Sequence, residues 1–249
     1  MARPRFYREE FNTDRFHTFQ VQFRETDILA GVNHGAFHQS MPSVCSEVIQ
    51  SLRNLLNEYG ARRKEFLTSH HPLPGDPDAP PVVNKMIECG RRSGTGPMSS
   101  VAGLFAFETG RALLRLFDIT ELMIENGGDI YLVNHHEIYV TVYAGDSPLT
   151  NKLSLVIPPG RWGISTSSGT VGHSFSYGKA DAVTIVCEDP VVSDAWATAV
   201  ANRIRNKTDI EKTLKFVETV PEILGCLIIF KDRMGVRGRF KIQPAEIKI

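Results

Sequence analysis

The sequence lacks the features that mark several large classes of protein. Its four cysteines are far apart and form no CxxC pair, which excludes a cysteine metal clip and a dense disulfide framework and favours reduced thiols. The N-terminus has no apolar signal core, and the apolar runs are too short to span a bilayer. We therefore expect a cytoplasmic protein with no membrane partner.

An excess of charge of either sign is also missing. The chain carries 28 Lys and Arg residues against 28 Asp and Glu residues, so its formal net charge is zero. The basic run at 233–241 does not change that balance, and we expect no nucleic-acid partner. What remains is an ordinary globular composition, 42% hydrophobic and 22% charged over 249 residues. We expect one domain spanning 1–249 and built from two intertwined halves.

The hydrophobic pattern alternates between strand and helix periods along the chain. Residues 18–26 alternate as in a half-buried strand, whereas apolar residues recur at helical spacing over 42–67. The pattern also predicts a helix over 190–206, a final buried strand over 223–231, and pairing of 240–242 with that strand. The predicted fold class is α+β, with mostly antiparallel sheets, helices packed on one face and an architecture built twice.

Asp194 and Thr198 are the first candidate functional residues. They are four positions apart, so in a helix they lie on one face. A carboxylate and a hydroxyl are oxygen donors of the kind that Mg²⁺ or Ca²⁺ takes. The alternative is that Asp194 is a first-turn residue favoured by the helix dipole and that Thr198 has no role of its own.

Gly127, Gly128 and Asp129 lie between two strand-like segments. Paired glycines adopt positive φ and let a ligand approach backbone N–H groups. The alternative is a tight hairpin turn with Asp129 at its end.

A serine-rich turn, Ser167-Ser168-Gly169, precedes His173. The turn is suited to binding a phosphate, with His173 as the acid–base group. A serine hydrolase that uses Ser168 and His173 is an alternative, although the GxSxG elbow is missing.

Together these segments resemble the ApbE superfamily, the FAD:protein FMN transferases. The sequence DAWAT at 194–198 matches that family's Asp-Ala-x-Ala-Thr run, and GGDI at 127–130 matches its Gly-Gly-Asp-Ile strand end. The turn at 167–169 with its downstream histidine follows in the family's order. The chain is most similar to a short cytoplasmic branch of the superfamily rather than to the transferases themselves.

The resemblance implies a duplicated T-fold-like architecture with a flavin cleft between its halves. It implies that Ala102, through its carbonyl, and the side chains of Asp194 and Thr198 hold Mg²⁺, with FAD or FMN as the flavin. The glycine turn at 127–129 and the serine turn at 167–169 would contact the flavin nucleotide. His173 would match the catalytic-region histidine, and a protein acceptor of FMN would be the partner.

The chain departs from the transferases at two places. Gly103 stands where the family has a lysine. Around the histidine, HSFSY at 173–177 replaces the family's His-Ile-Ile-Asp-Pro, and the spacing between the Ser-Gly turn and His173 is shorter than in the transferases. Lys179 and Arg92 are the candidates for replacing the missing cation. We therefore keep two hypotheses: a protein that cleaves or transfers from the FAD pyrophosphate, and a binding module for a flavin or another nucleotide that carries out no chemistry.

Overall fold

The computed structural model describes residues 15–170 and 177–245. The strands are β1 (Phe16–Phe23), β2 (Thr26–Asn33), β3 (Leu122–Asn126), β4 (Asp129–Asn134), β5 (Ile138–Thr141), β6 (Leu153–Ile157), β7 (Gly160–Ser167), β8 (Ala182–Cys187), β9 (Gly225–Phe230), β10 (Arg233–Gly238) and β11 (Lys241–Pro244). The helices are α1 (Met41–Arg62), α2 (Glu65–Thr68), α3 (Pro81–Ser93), α4 (Val101–Leu116), α5 (Pro190–Ala201) and α6 (Asp209–Val217), with a 3₁₀ turn at Pro97–Ser100 ahead of α4.

The strands form two sheets. The main sheet has eight strands in the order β1-β2-β3-β4-β7-β8-β9-β10, and the small sheet has three in the order β11-β6-β5. All the paired strands are antiparallel. Along the chain, two strands, a group of helices and two more strands occur in sequence twice. The predicted α+β class with antiparallel sheets is confirmed, while the division into intertwined halves stays a prediction.

Helices cover one face of the main sheet, and the small sheet covers the other. On β3 and β4, Ile124 and Tyr131 pack with α1, α3 and α4. Their neighbours Met123 and Ile130 point to the opposite face and pack with residues of the small sheet. Successive side chains of a strand point to opposite faces, so β3 and β4 are buried along their whole length. The cover provided by the small sheet was not predicted.

Within residues 15–170 and 177–245, none of the helices combines the length and the apolar character needed to cross a bilayer.

The hairpin that joins β3 to β4 is a two-residue turn. Gly127 and Gly128 both have positive φ, at 71° and 100°, and Asn126 pairs with Asp129 across the turn. Positive φ at both central positions is the requirement of a type I′ turn, which glycine meets without strain. The turn therefore brings Asn126 and Asp129 side by side at one end of the main sheet.

Helix α5 begins where its sequence predicts and ends earlier. Asp189 is the N-cap and accepts a hydrogen bond from the Val191 N–H at 2.8 Å, with Pro190 in the first turn. The predicted end at residue 206 is wrong, since α5 ends at Ala201. There, short-range turns take over: the N–H of Ile204 donates to the Ala201 carbonyl at 3.1 Å, and the Ile204 side chain is fully buried.

The predicted pairing of 240–242 with the final buried strand is also wrong. Strand β10 occupies the edge of β9, and β11 pairs instead with β6 of the small sheet. The sequence of β10 has no apolar alternation because most of its side chains are exposed. For that reason its strand character could not be inferred from the hydrophobic pattern.

Glu121 ties the start of the described chain to the main sheet, and its ionisation is expected to stabilise the fold. Its carboxylate accepts hydrogen bonds from Arg15 Nε at 3.0 Å and from the His135 N–H at 2.6 Å. Arg15 is the largest cause of a pKa lowered to about 2 from an ordinary value of 4.5. A carboxyl with a depressed pKa stabilises the fold above its unfolded-state pKa, and this stability is lost as the pH falls through the folded-state value.

We expect Glu121→Gln to lower the free energy of unfolding by about 2 kcal/mol at neutral pH. Denaturant titrations at several pH values should show the difference closing as the pH falls from about 4.5 towards about 2. The exposed Glu58 gives the control, since Glu58→Gln should change stability by less than about 0.5 kcal/mol. A difference between Glu121→Gln and wild type that does not depend on pH would contradict the assignment.

Candidate functional site

The carboxyl of Asp194 lies at the contact between α4, α5 and the β3–β4 hairpin. The side chain is buried, and one oxygen accepts a hydrogen bond from the Gly103 N–H at 2.8 Å. Burial raises the pKa of this carboxyl from 3.8 to about 7, against the opposing effect of the Gly103 and Ala102 backbone groups. A carboxyl with so little access to water needs a partner for its charge.

That carboxyl is in hydrogen-bond contact with the carboxyl of Asp129. Asp129 is the first residue of β4, immediately after the Gly127-Gly128 turn, and is also buried. Two carboxyl groups form a hydrogen bond only while one of them holds a proton. When both are ionised they repel each other, and a divalent cation is a group that neutralises such a pair.

A backbone carbonyl lies in the same place. Ala102, in the first turn of α4, accepts a hydrogen bond through its carbonyl from the side-chain amide of Asn126 at 3.1 Å. The next residue, Gly103, donates its N–H to Asp194. The hairpin turn, the start of α4 and the middle of α5 therefore converge on one cluster of oxygen atoms.

Gly103 permits this arrangement because α5 lies directly against it. A Cβ added at Gly103 would stand 2.1 Å from the Pro190 carbonyl oxygen and 3.0 Å from the Asp194 Cβ. The space beside Gly103 is filled by backbone, so a lysine at this position has no room. The residue contributes a backbone N–H to the cluster in place of a side-chain cation.

Thr198 lies one helical turn beyond Asp194 on the same side of α5. Its side chain is half-buried, whereas Asp194 is buried. The predicted pairing of these residues on one helix face follows from their position within α5. Thr198 thus lies on the Asp194 side of α5, at a position more exposed than that of Asp194.

The serine turn adjoins the glycine hairpin through the end of β7. The Thr166 N–H donates to the Gly128 carbonyl at 3.2 Å, and Ser167 follows as the last residue of β7. Each turn is also tied to residues outside it: the Gly128 N–H donates to Glu125 Oε1 at 2.8 Å, and the Gly169 N–H donates to the Ala180 carbonyl at 2.8 Å. The structure therefore brings the turns at 127–129 and 167–169 together.

His173, the predicted acid–base residue, lies outside the described residues. The serine of the alternative hydrolase hypothesis is described: Ser168 Oγ accepts a hydrogen bond from the Thr170 N–H at 3.1 Å. This is the local turn that serine commonly forms with the backbone two positions on. The hydrolase hypothesis therefore stays a prediction without support from the geometry of Ser168.

Of the two candidates for replacing the family's lysine, Arg92 forms an ion pair away from the cluster. Its guanidinium pairs with Glu222, which also accepts a hydrogen bond from the Trp196 indole N–H at 2.7 Å. Trp196 is two residues from Asp194 and so points to a different side of α5. Lys179 is exposed, and its backbone N–H donates to the Ile204 carbonyl at 2.7 Å.

Sequence reasoning missed two polar contributions to the cluster. The hydroxyls of Ser165 and Ser193 are 2.7 Å apart, fully buried, and join β7 to α5. Asp129 faces Ser165 in the register of β4 and β7. The run of hydroxyl residues that ends β7, from Ser165 to Ser167, was a signal for such a contact, because a buried hydroxyl requires a polar partner. Asn126, directly before the glycine pair, carried a similar signal.

The residues at the cluster are suited to a hard divalent cation. Carboxylate, hydroxyl and carbonyl oxygens are the donors that Mg²⁺ takes in proteins. Among residues 15–170 and 177–245, no group of three or more His, Cys, Asp or Glu side chains is placed to hold a metal. A metal here would therefore depend on the Asp129–Asp194 pair together with the Ala102 carbonyl and the Thr198 hydroxyl.

Sequence comparison finds relatives over most of the chain. A model for a family described as AbpE bacteria matches residues 8–215. A UPF0280 protein of Methanocella arvoryzae is 35% identical over 233 residues, which cover 92% of each chain. A UPF0280 protein of Methanocaldococcus jannaschii is 32% identical over 227 residues, which cover 88% of this chain and 90% of the relative.

Solved structures share the fold at much lower identity. The flavin transferase ApbE from Vibrio cholerae is 14% identical with a TM-score of 0.61, covering 93% of this chain and 97% of that one. The ApbE protein from Thermotoga maritima is 12% identical with a TM-score of 0.58, covering 90% and 97%. The resemblance that the sequence motifs indicated is confirmed, and at these identities the structural likeness concerns the fold.

Proposed function

The chain belongs to the family described as AbpE bacteria, and from that premise we propose that it binds a flavin nucleotide through Mg²⁺ and cleaves or transfers from the FAD pyrophosphate. The observation that carries the proposal is the contact between the buried carboxyls of Asp129 and Asp194. A carboxyl pair beside the Ala102 carbonyl, with the Thr198 hydroxyl one helical turn away, supports the proposal because these are the oxygen donors that a divalent cation takes.

Ala102, Asp194 and Thr198 hold the metal in this proposal, and Asp129 supplies a further carboxylate next to it. When held by these residues, Mg²⁺ would supply the positive charge that offsets the charge developing on the pyrophosphate oxygens. The turns at 127–129 and 167–169 contact the nucleotide, and His173 accepts the proton that the attacking hydroxyl loses. A hydroxyl oxygen, from water or from a side chain of a protein acceptor, bonds to the phosphorus of the FMN half while the bond to AMP breaks.

Incubation with FAD and Mg²⁺ tests the reaction directly. We expect AMP together with FMN when water is the acceptor, measured by chromatography, and no products when EDTA replaces Mg²⁺. Asp194→Asn should reduce the rate by about 100-fold or more, since a metal contributes several kcal/mol of charge stabilisation. Equal rates with EDTA, or in the Asp194→Asn variant, would contradict a metal-dependent reaction at this site.

A second candidate function is binding without chemistry, and the packing of Gly103 favours it. The family's lysine is absent and the Pro190 carbonyl occupies the space beside Gly103, so the cluster lacks that side-chain cation. Calorimetric titration with FAD, FMN and ATP, with and without Mg²⁺, separates the two functions. Mg²⁺-dependent binding of FAD without release of AMP would establish the binding module, whereas turnover would exclude it.

A further inference from the structure

A cavity of about 300 Å³ opens between the end of α5 and α6. It is distinct from the Asp129–Asp194 cluster, because Asn202, on its wall, is eight residues beyond Asp194. At a helical rise of 1.5 Å per residue this is about 12 Å along the helix axis. The cavity wall includes Asn202, Arg203, Arg205, Lys212, Thr213 and Phe216.

The charge on the cavity wall is positive. Arg203, Arg205 and Lys212 face one acidic residue, Asp209. The Asp209 carboxylate accepts hydrogen bonds from the backbone N–H groups of Arg205 at 2.9 Å and Asn206 at 3.0 Å. These bonds lower the pKa of Asp209 and direct its charge into the turn before α6. The wall therefore keeps an excess of cations.

Arg203 is held in a defined orientation. Its guanidinium carbon lies 3.6 Å from the centre of the Phe216 ring, a distance at which the planar cation stacks on the aromatic face. Stacking leaves the N–H edges of the guanidinium available to a ligand and reduces the entropy lost when they bind it. An oriented guanidinium is the group that binds phosphate through two parallel hydrogen bonds.

We propose that this cavity is a binding site for a phosphate group, either free phosphate or the end of a phosphate monoester. Arg203 supplies the oriented contact, Arg205 and Lys212 supply charge, and the hydroxyl of Thr213 and the amide of Asn202 supply neutral hydrogen bonds. A phosphate matches this wall because it carries more than one negative charge and several acceptor oxygens. The site does not depend on the flavin function proposed for the cluster around Asp194.

Calorimetric titration of the full chain with inorganic phosphate at low ionic strength tests the site. Arg203→Ala should weaken binding about 10-fold or more, as expected for loss of a charge-assisted bidentate contact. Phe216→Leu should weaken it by a smaller factor, because the guanidinium loses its orientation but keeps its charge. Lys212→Ala should also weaken binding.

Lys215 provides the matched control on the same helix. It pairs with Glu211 at 3.0 Å and is not part of the cavity wall, so Lys215→Ala should leave phosphate binding unchanged. Equal weakening by Lys212→Ala and Lys215→Ala would show a general charge effect and overturn the site. Failure of the wild-type chain to bind phosphate would overturn it as well.

Titrations with FMN and riboflavin identify the source of the phosphate. Weaker FMN binding in Arg203→Ala, with riboflavin binding unchanged, would assign the cavity to the phosphate of a flavin nucleotide. Loss of inorganic phosphate binding alone would assign it to free phosphate or another ester, and the proposal would stand in that form.

Discussion

Asp194→Asn is expected to weaken Mg²⁺-dependent binding of FAD strongly while the fold stays intact. Asparagine has nearly the same shape as aspartate, so the packing of α5 on α4 is kept, but the charge that attracts a cation is lost. We expect binding to weaken about 100-fold or more, in line with several kcal/mol for a metal contact. Calorimetry with saturating Mg²⁺ measures the effect, and Asp118→Asn, at an exposed position, is the control.

The same variant has a predictable effect on stability without metal. Burial raises the pKa of Asp194 from 3.8 to about 7, so the folded chain holds this proton more tightly than the unfolded chain. The stability contributed by Asp194 is present below its unfolded-state pKa and is lost as the pH rises through the folded-state value. The Asp194→Asn variant has no carboxyl to ionise at this position, so it does not lose this stability. It should therefore be more stable than the wild type above about pH 7.

Mg²⁺ together with FAD should make the wild type more stable than the Asp194→Asn variant. A ligand that binds only the folded state stabilises it, so Mg²⁺ with FAD should raise the melting temperature of the wild type and leave Asp194→Asn unchanged. If the two proteins respond equally to Mg²⁺, the carboxyl of Asp194 is not a metal ligand.

Introducing the family's lysine at position 103 should destabilise the fold. Any side chain at position 103 meets the Pro190 carbonyl oxygen, 2.1 Å from an added Cβ, and α5 would have to move away from α4. We expect Gly103→Lys to lower the free energy of unfolding by about 3 kcal/mol or more. It should also weaken FAD binding, because the Gly103 N–H and Asp194 separate. Denaturant unfolding together with calorimetry measures both.

Gly60 offers a matched glycine for this prediction. A Cβ added there would stand 2.4 Å from the end of the Leu67 side chain, which is itself exposed. Since a flexible side chain moves at little cost, and alanine favours a helix by about 1 kcal/mol over glycine, Gly60→Ala should leave stability nearly unchanged. Gly103→Ala should be destabilising. Similar stability of the two alanine variants would contradict the close approach of α5 to α4.

The sequence was sufficient to predict those features of the fold that depend on residues next to each other in the chain. The Gly127-Gly128 turn and the start of α5 at Pro190 each follow from local backbone chemistry. The motifs also placed Asp194 and Thr198 on one helix face. The hydrophobic pattern separated strands from helices and gave the α+β class, because each element buries one side against a common core.

Contacts between distant segments could not be predicted in the same way. Asp129 and Asp194 are 65 positions apart in the numbering, and their contact depends on the register of β4 with β7 and on the packing of α5. The close approach at Gly103 similarly depends on how α5 lies on α4. From sequence alone, Gly103 was only a missing lysine, whereas in the fold it allows the two helices to meet.

Crystals grown with FAD and Mn²⁺, which substitutes for Mg²⁺ and scatters anomalously, test the central claim most directly. We predict one anomalous peak between the carboxyls of Asp129 and Asp194, within coordination distance of the Ala102 carbonyl, and none there in Asp194→Asn. A flavin nucleotide bound in the cleft with no peak at these residues, or a peak held by other side chains, would contradict the account.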